Sequence, residues 1–258
     1  MKRIFILEEK DIPFDFQYQL RNAIDYQKWF NQEQNNYEFL FSEKGLFKYL
    51  SDNPGKLEYI PVGSLEFVEK YINHIGKSMK NPNFIPEKLR KNKFLKRKIS
   101  FLKKADEKSI VQKVKSLGLN SFFIKDTENY KGFRGIINNL KNTKNLPFSY
   151  PKNILISEKI DIVSEYRFFV FNNEVVGLKN YNGDFKVFPN VKIVEEMVKE
   201  YQKSKDNFRA YTLDVAITSN NNTVLIEVHP FVSCGLYGFE EYKILPQMII
   251  SGYKDILK

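Results

Sequence analysis

Between Tyr211 and Gly238, apolar and β-branched residues alternate on both sides of a Ser219-Asn220-Asn221-Asn222 cluster, the pattern of a β-hairpin. A two- or a four-residue loop sets the same register, with Asp214 opposite Glu227. Thr212, Asp214 and Ala216 then share a face with Leu225, Glu227 and His229. Tyr211, Leu213, Val215 and Ile217 share the other with Val224, Ile226 and Val228. Like charges directly opposed across a sheet are destabilising. Two facing carboxylates on an otherwise apolar hairpin therefore call for a cation, and carboxylates with retained waters and substrate phosphates are the usual way to hold Mg²⁺. The alternative is that both acids face solvent or pair with lysines. A three- or five-residue loop would also send them to opposite faces.

Residues 2–9 read as a buried strand, and 15–31 carry helical spacing through Phe16, Leu20, Ile24 and Trp29, with Trp29 expected in the core. Residues 57–72 read as a strand, a turn at 61–64 and a helix capped by Ser64. That helix start is also a candidate anion site. Phe122-Phe123-Ile124 is a strand with Lys125 at its end, before a polar loop that carries Lys131, Gly132 and Gly135. A lysine there is a point charge suited to phosphate, although the loop lacks the P-loop pattern. Ile154-Leu155-Ile156 is a strand stopping at Ser157-Glu158-Lys159. Residues 165–171 and 174–181 form a hairpin about Asn172-Asn173. Glu165 and Arg167 lie on one face within reach of each other, and Lys179 on the opposite face. Residues 190–206 are helical, 235–238 a loop, and 242–257 a helix interrupted near Pro246 or Gly252.

The length of 258 residues allows one large domain or two to three small ones, and 42% hydrophobic content excludes a disordered chain. The net charge of +10 suits an anionic ligand, a nucleic acid or an acidic peptide without choosing among them. Fourteen of the basic residues lie between Lys77 and Lys115 against three acids. With no nucleic-acid motif or aromatic platform there, the run reads first as a solvated face, from which Arg97 or Lys98 could reach inward to phosphate. One cysteine, Cys234, excludes an internal disulfide and suits a reducing compartment. The apolar run Ile4–Leu7 is too short for a signal peptide or membrane span, so the expectation is a cytoplasmic protein.

The order of these pieces resembles the ATP-grasp superfamily, in particular its small phage- and bacteria-borne members. The matching motifs are IPVGSLEF (60–67), FIKD (123–126), SEYRFFV (164–170), YTLDV (211–215) and EVHPFVSCGLYG (227–238). The resemblance implies a mixed α+β and α/β chain, with two subdomains clasping ATP after a small α/β pre-grasp domain. The implied units are 1–76 (pre-grasp), 77–155 (with the lid loop) and 156–258 (with the metal-binding hairpin). It implies ATP and Mg²⁺, or Mn²⁺, as cofactors, with Asp214 and Glu227 holding the metal. His229 stands where the family commonly has a metal-binding asparagine, and imidazole is a poorer partner for Mg²⁺ than oxygen. The resemblance gives Lys125 and the lid residue Lys131 to the phosphates, with the earlier basic residue falling among Arg97, Lys98 and Lys103. It gives Ile156 to Ile160, with Glu158 beside them, to adenine and Glu165 to the ribose. Arg167 and Lys179 go to the γ-phosphate or the carboxylate substrate. Cys234 is a small packed residue. The implied reaction is ADP-forming ligation of a carboxylate to an amine or thiol through an acylphosphate, on a peptide, amino acid or metabolite. The rivals are a degenerate binding module holding nucleic acid or an acidic partner, and a kinase on the same scaffold.

Overall fold

The computed structural model describes residues 3–9, 15–31, 37–41, 50, 58–146 and 151–258. Lys2 and Leu57, at the edges of two expected strands, lie outside the described residues. The first sheet is parallel and three-stranded, of order β2-β1-β3, from β1 (Arg3–Leu7), β2 (Tyr37–Phe41) and β3 (Glu58–Val62). Its centre is the unbroken apolar run Phe5-Ile6-Leu7, fully buried as a parallel strand covered on both faces requires. Helix α1 (Asp15–Asn31) sends Phe16, Leu20 and Ile24 into the same core. Trp29 does not join them. It lies five residues beyond Ile24, about 140° round the helix from that stripe, and is 74% exposed, not buried as expected. Helix α2 (Leu65–His74) starts where the pattern places it, with the Ser64 hydroxyl accepting from the Phe67 amide at 3.2 Å.

The second sheet is antiparallel, of order β4-β7-β5-β6, from β4 (Ile99–Ala105), β5 (Phe122–Asp126), β6 (Arg134–Ile137) and β7 (Lys152–Glu158). Helix α3 (Glu107–Ser116), capped by Asp106, packs Ile110 and Val114 beneath it. β4 emerges from the basic run, whose charges hid its alternation. β7 runs two residues past the stop expected after Ile156, because Ser157 and Glu158 pair with Phe123 and Phe122. Part of the basic run is a salt-bridged face: Lys91 and Lys93 meet Glu200 and Glu196 at 2.5 and 2.7 Å.

The third sheet is also antiparallel, of order β11-β10-β8-β9, from β8 (Ile162–Phe171), β9 (Glu174–Gly183), β10 (Ala210–Thr218) and β11 (Thr223–Pro230). Helices α4 (Val191–Tyr201) and α5 (Leu245–Ile256) complete the chain. α5 is not interrupted. Pro246 sits in its first turn, where a missing N–H is tolerated, and Gly252 permits close contact with Phe231.

Bulges correct the expected registers. In β8–β9, Asn172 and Asn173 take φ of 49° and 67°, as a two-residue type I′ turn requires. Pairing then shifts between Phe169 and Val170, leaving Val176 as the extra residue. The shift puts Lys179 opposite Arg167, on the same face and not the opposite one. In β10–β11, Thr218 and Asn222 pair around a three-residue loop. That is the parity that separates Asp214 from Glu227. A bulge at Ile226 restores their pairing and returns Leu225 to the core face beside Val215.

Candidate active site

All of β10 is buried, and it lies between two partners, so each inward residue has a neighbour on either side. Asp214 is opposite Glu227 on β11 and Arg167 on β8, and Arg167 is opposite Lys179 on β9. The result is one row of charges across four strands: Glu227, Asp214, Arg167, Lys179. The neighbouring row holds Ala216, Glu165 and Asn182.

Arg167 forks onto Asp214, donating from Nε at 2.8 Å and from Nη2 at 2.7 Å, and its Nη1 reaches the Gly235 carbonyl at 2.9 Å. The expected Glu165–Arg167 contact gives way to this pair, because Asp214 is the cross-strand neighbour. Burial pushes the Asp214 carboxyl up to about 6 despite the guanidinium. Burial also opposes the Arg167 charge, yet Asp214 raises that pKa above the ordinary range, so both are ionised at neutral pH. Lys125 bonds Glu227 from β5, with its ammonium 3.3 Å from the centre of the Phe84 ring. Burial lowers the Lys125 pKa, partly offset by Glu227. Glu227 is lowered as well: burial works against its charge, and its neighbours, Lys125 first and then His229 and Arg134, together outweigh burial.

Three members of this row, Glu227, Asp214 and Arg167, floor a cavity of about 380 Å³, within the ordinary range of roughly 300–1,000 Å³ for ligand sites. Phe123, Ile136 and Ile162 give it apolar walls, and Glu158, Lys159 and Ile160 line it where β7 ends. Arg97, Lys125, Glu165, Arg167, Asp214 and Glu227 all reach it. Ile156 does not: its side chain is in the core, and its backbone lies in the ladder between β4 and β5. Arg97 is fixed by bonds to Ser157 Oγ and the Leu225 carbonyl, at 2.9 and 2.7 Å. Lys131 instead binds Glu66 on α2 at 2.7 Å, tying the 127–133 loop to that helix. Lys179 belongs to the row but does not line the cavity.

His229 lies on the next row, opposite Thr212, and lines an adjoining cavity of about 210 Å³ with Glu227, Tyr130 and Cys234. Its Nδ1 is 2.7 Å from the Pro230 carbonyl, an acceptor, so Nδ1 carries the proton of a neutral ring. Burial lowers the His229 pKa to about 4. The ring should therefore stay neutral on acidification down to about pH 4. Titrating its carbon-bound protons by NMR checks this, and a midpoint near the unperturbed value of about 6.5 would contradict it. Burial pushes the Cys234 thiol up to about 12, so it stays protonated, a packed residue and not a nucleophile.

The donor set fits a hard cation only in part. Asp214 and Glu227 are facing carboxylates, whereas no group of three or more His, Cys, Asp or Glu side chains is placed to hold a metal among the described residues. His229 is not drawn in as a third ligand. Two carboxylates with water and phosphate is a normal Mg²⁺ environment, and the partners Arg167 and Lys125 neutralise the acids without it. Among the cavity residues that the sequence does not single out are Ile226 and Arg134. Ile226 reaches the cavity because of its bulge, and Arg134 because β6 pairs it with Lys125. The second was legible in the match of FFIKD to RGII around a polar loop. No helix among the described residues is long and apolar enough to cross a membrane.

The family model for the ATP-grasp domain, R2K clade family 2, matches residues 94–246. No curated protein matches the chain. Among solved structures, the fold is similar to an N5-carboxyaminoimidazole synthetase from Staphylococcus aureus (TM-score 0.59, 15% identity, 100% of this chain and 78% of that one). It is also similar to a D-alanine–D-alanine ligase from Bacillus anthracis complexed with ATP (0.59, 13%, 98% of each). A third likeness is to the macrocyclase MdnC of Microcystis aeruginosa, bound with its precursor peptide MdnA (0.51, 10%, 96% and 97%).

Proposed function

Because the chain belongs to the R2K clade of ATP-grasp domains, we propose that it is a cytoplasmic, ATP-dependent ligase that joins a carboxylate to an amine through an acylphosphate. The observation that carries this reading is the charged row from Glu227 to Arg167 on the floor of a nucleotide-sized cavity. In this reading residues 1–76 are the pre-grasp unit, and 77–155 and 156–258 the two halves of the clasp. Adenine enters between Phe123, Ile136 and Ile162 beside the Glu158–Ile160 hinge, with Glu165 toward the ribose and Lys125 and Arg167 toward the phosphates.

The substrate carboxylate oxygen attacks the γ-phosphorus in line. The bond to the bridging oxygen breaks, and ADP leaves with its electron pair. The amine then attacks the acyl carbon and phosphate departs, with the amine proton going to water or phosphate. Asp214 and Glu227 would hold Mg²⁺ or Mn²⁺, which when bound neutralises phosphate oxygens as a Lewis acid. Lys125 and Arg167 place fixed positive charge where the transition state gathers negative charge. The 127–133 loop, tied to α2 through Lys131 and Glu66, keeps water from the acylphosphate.

The test is to incubate the protein with Mg·ATP and pooled amino acids and short peptides, following ADP release and product mass. A product equal to the two substrates less one water is expected. A stable phosphorylated product would make the protein a kinase. ATP left intact with every pool would overturn the reading.

A further inference from the structure

The bulge at Ile226 answers a demand of the core without settling which residue is the extra one. Leu225 and Val228 are both buried, packed opposite Val215 and Leu213. Residues three apart on a regular strand point to opposite faces, so one extra residue must lie between them. Ile226 or Glu227 can be that residue, and either serves the core equally. With Ile226 extra, Glu227 stands opposite Asp214, as observed. With Glu227 extra, Ile226 would take that place and the row would lose its acid.

The outer edge of the sheet distinguishes the two. β11 is an edge strand, so its outward N–H and C=O groups have no ladder partner. Two of them are bonded instead by the segment that precedes β4. The Val228 amide donates to the Phe84 carbonyl at 2.8 Å, and the Leu225 carbonyl accepts from Arg97 Nη1 at 2.7 Å. These bonds bracket Ile226 and Glu227. The Leu225 carbonyl belongs to the planar peptide that leads into Ile226, so holding it sets the direction in which Ile226 leaves the ladder. Lys125 holds the carboxylate of Glu227 but not the backbone that carries it. Arg97 is itself anchored. Its Nε donates to Ser157 Oγ at 2.9 Å, and that hydroxyl donates to the Glu158 carbonyl at 3.0 Å. Nη1 also reaches the Leu95 carbonyl at 3.2 Å. Burial lowers the Arg97 pKa to about 10, so the side chain is still a cation at neutral pH.

We infer that Arg97 is a positioning residue: it holds the Leu225 carbonyl, makes Ile226 the extra residue of the bulge, and thereby sets Glu227 opposite Asp214. Its fork spans strands of two sheets, β7 through Ser157 and β11 through Leu225, which a single ammonium cannot do in that geometry. The register is a property of the metal-free chain. Its consequence for a cation rests on the proposed nucleotide site.

The test is NMR of the metal-free full chain, with calorimetric titration of ATP in Mg²⁺ and in EDTA, for the wild type, Arg97→Met and Arg97→Lys. Arg97→Met keeps an unbranched stem and removes every donor. It should lose the cross-strand proton contacts between Asp214 and Glu227, and gain contacts from Asp214 to Ile226. The factor by which Mg²⁺ strengthens ATP binding should fall by about 10- to 100-fold, the usual cost of losing a group that orients a metal ligand. ATP binding in EDTA should not change. If the methionine variant does not fold, Arg97→Lys must show smaller losses of the same contacts and of the Mg²⁺ factor, and a wild-type result there would overturn the inference. Asp214–Glu227 contacts intact in Arg97→Met, or equal losses of ATP affinity with and without Mg²⁺, would overturn it too. A wild type that gains nothing from Mg²⁺ would overturn the proposed site, and the contacts in the metal-free chain would then decide the role of Arg97.

Discussion

The Asp214→Asn, Glu227→Gln double variant should lose turnover by about a thousandfold or more, since a catalytic metal supplies several kcal/mol of charge stabilisation. Both substitutions keep shape and remove charge, so in the proposed reading they act on a bound cation and its phosphates and not on packing. Their structural effects differ. Asp214 is 2% exposed and holds Arg167 through two bonds. Asparagine there leaves a buried guanidinium without its counter-charge, at a cost of about 3–5 kcal/mol when a buried pair is broken. The Glu227 side chain is 16% exposed and faces a lysine over an aromatic ring, so Glu227→Gln should cost less. Steady-state turnover and urea denaturation of each single variant separate the effects. Turnover within tenfold of wild type in the double variant would remove the metal role from these acids.

Gly252→Val should destabilise the protein by about 3 kcal/mol or more, the upper end for forced overpacking. A Cβ at Gly252 would sit 2.2 Å from the Phe231 carbonyl oxygen and 2.7 Å from its carbonyl carbon. Neither is the end of a flexible side chain, so backbone must move. Phe231 is fully buried, with ring centroids 5.3 Å from Phe16 and 6.2 Å from Phe169. It therefore joins α1 to the end of the β10–β11 hairpin. A shift there disturbs the seam on which the site rests. Thermal denaturation followed by circular dichroism reads the effect, and a loss under about 0.5 kcal/mol even for Gly252→Val would show that the contact relaxes freely.

Alternation along the chain makes Asp214 and Glu227 stand out, because two acids among β-branched residues are conspicuous at any register. It does not reveal how that pairing arises. The loop has the parity that would separate the acids, and only the bulge at Ile226 brings them back. A bulge is set by tertiary packing and leaves no mark in a period of two, which is also why alternation alone puts Lys179 on the face opposite to Arg167. Arg167 was legible as a planar fork, but its partner was not, since Asp214 is 47 residues away and becomes its neighbour only when β10 inserts between β8 and β11. Trp29 misled because a large aromatic at a helix end invites burial, whereas its angle on α1 points it outward.

The most direct test of the account is the melting temperature of the wild type and of Asp214→Asn, each with Mg²⁺ alone, ATP alone and Mg·ATP. Ligand at about 100 times its Kd adds roughly 2.7 kcal/mol to the native state. The account predicts a rise with Mg·ATP in the wild type that exceeds either component alone and is lost in Asp214→Asn. An equal rise in both proteins, or none in either, would contradict it.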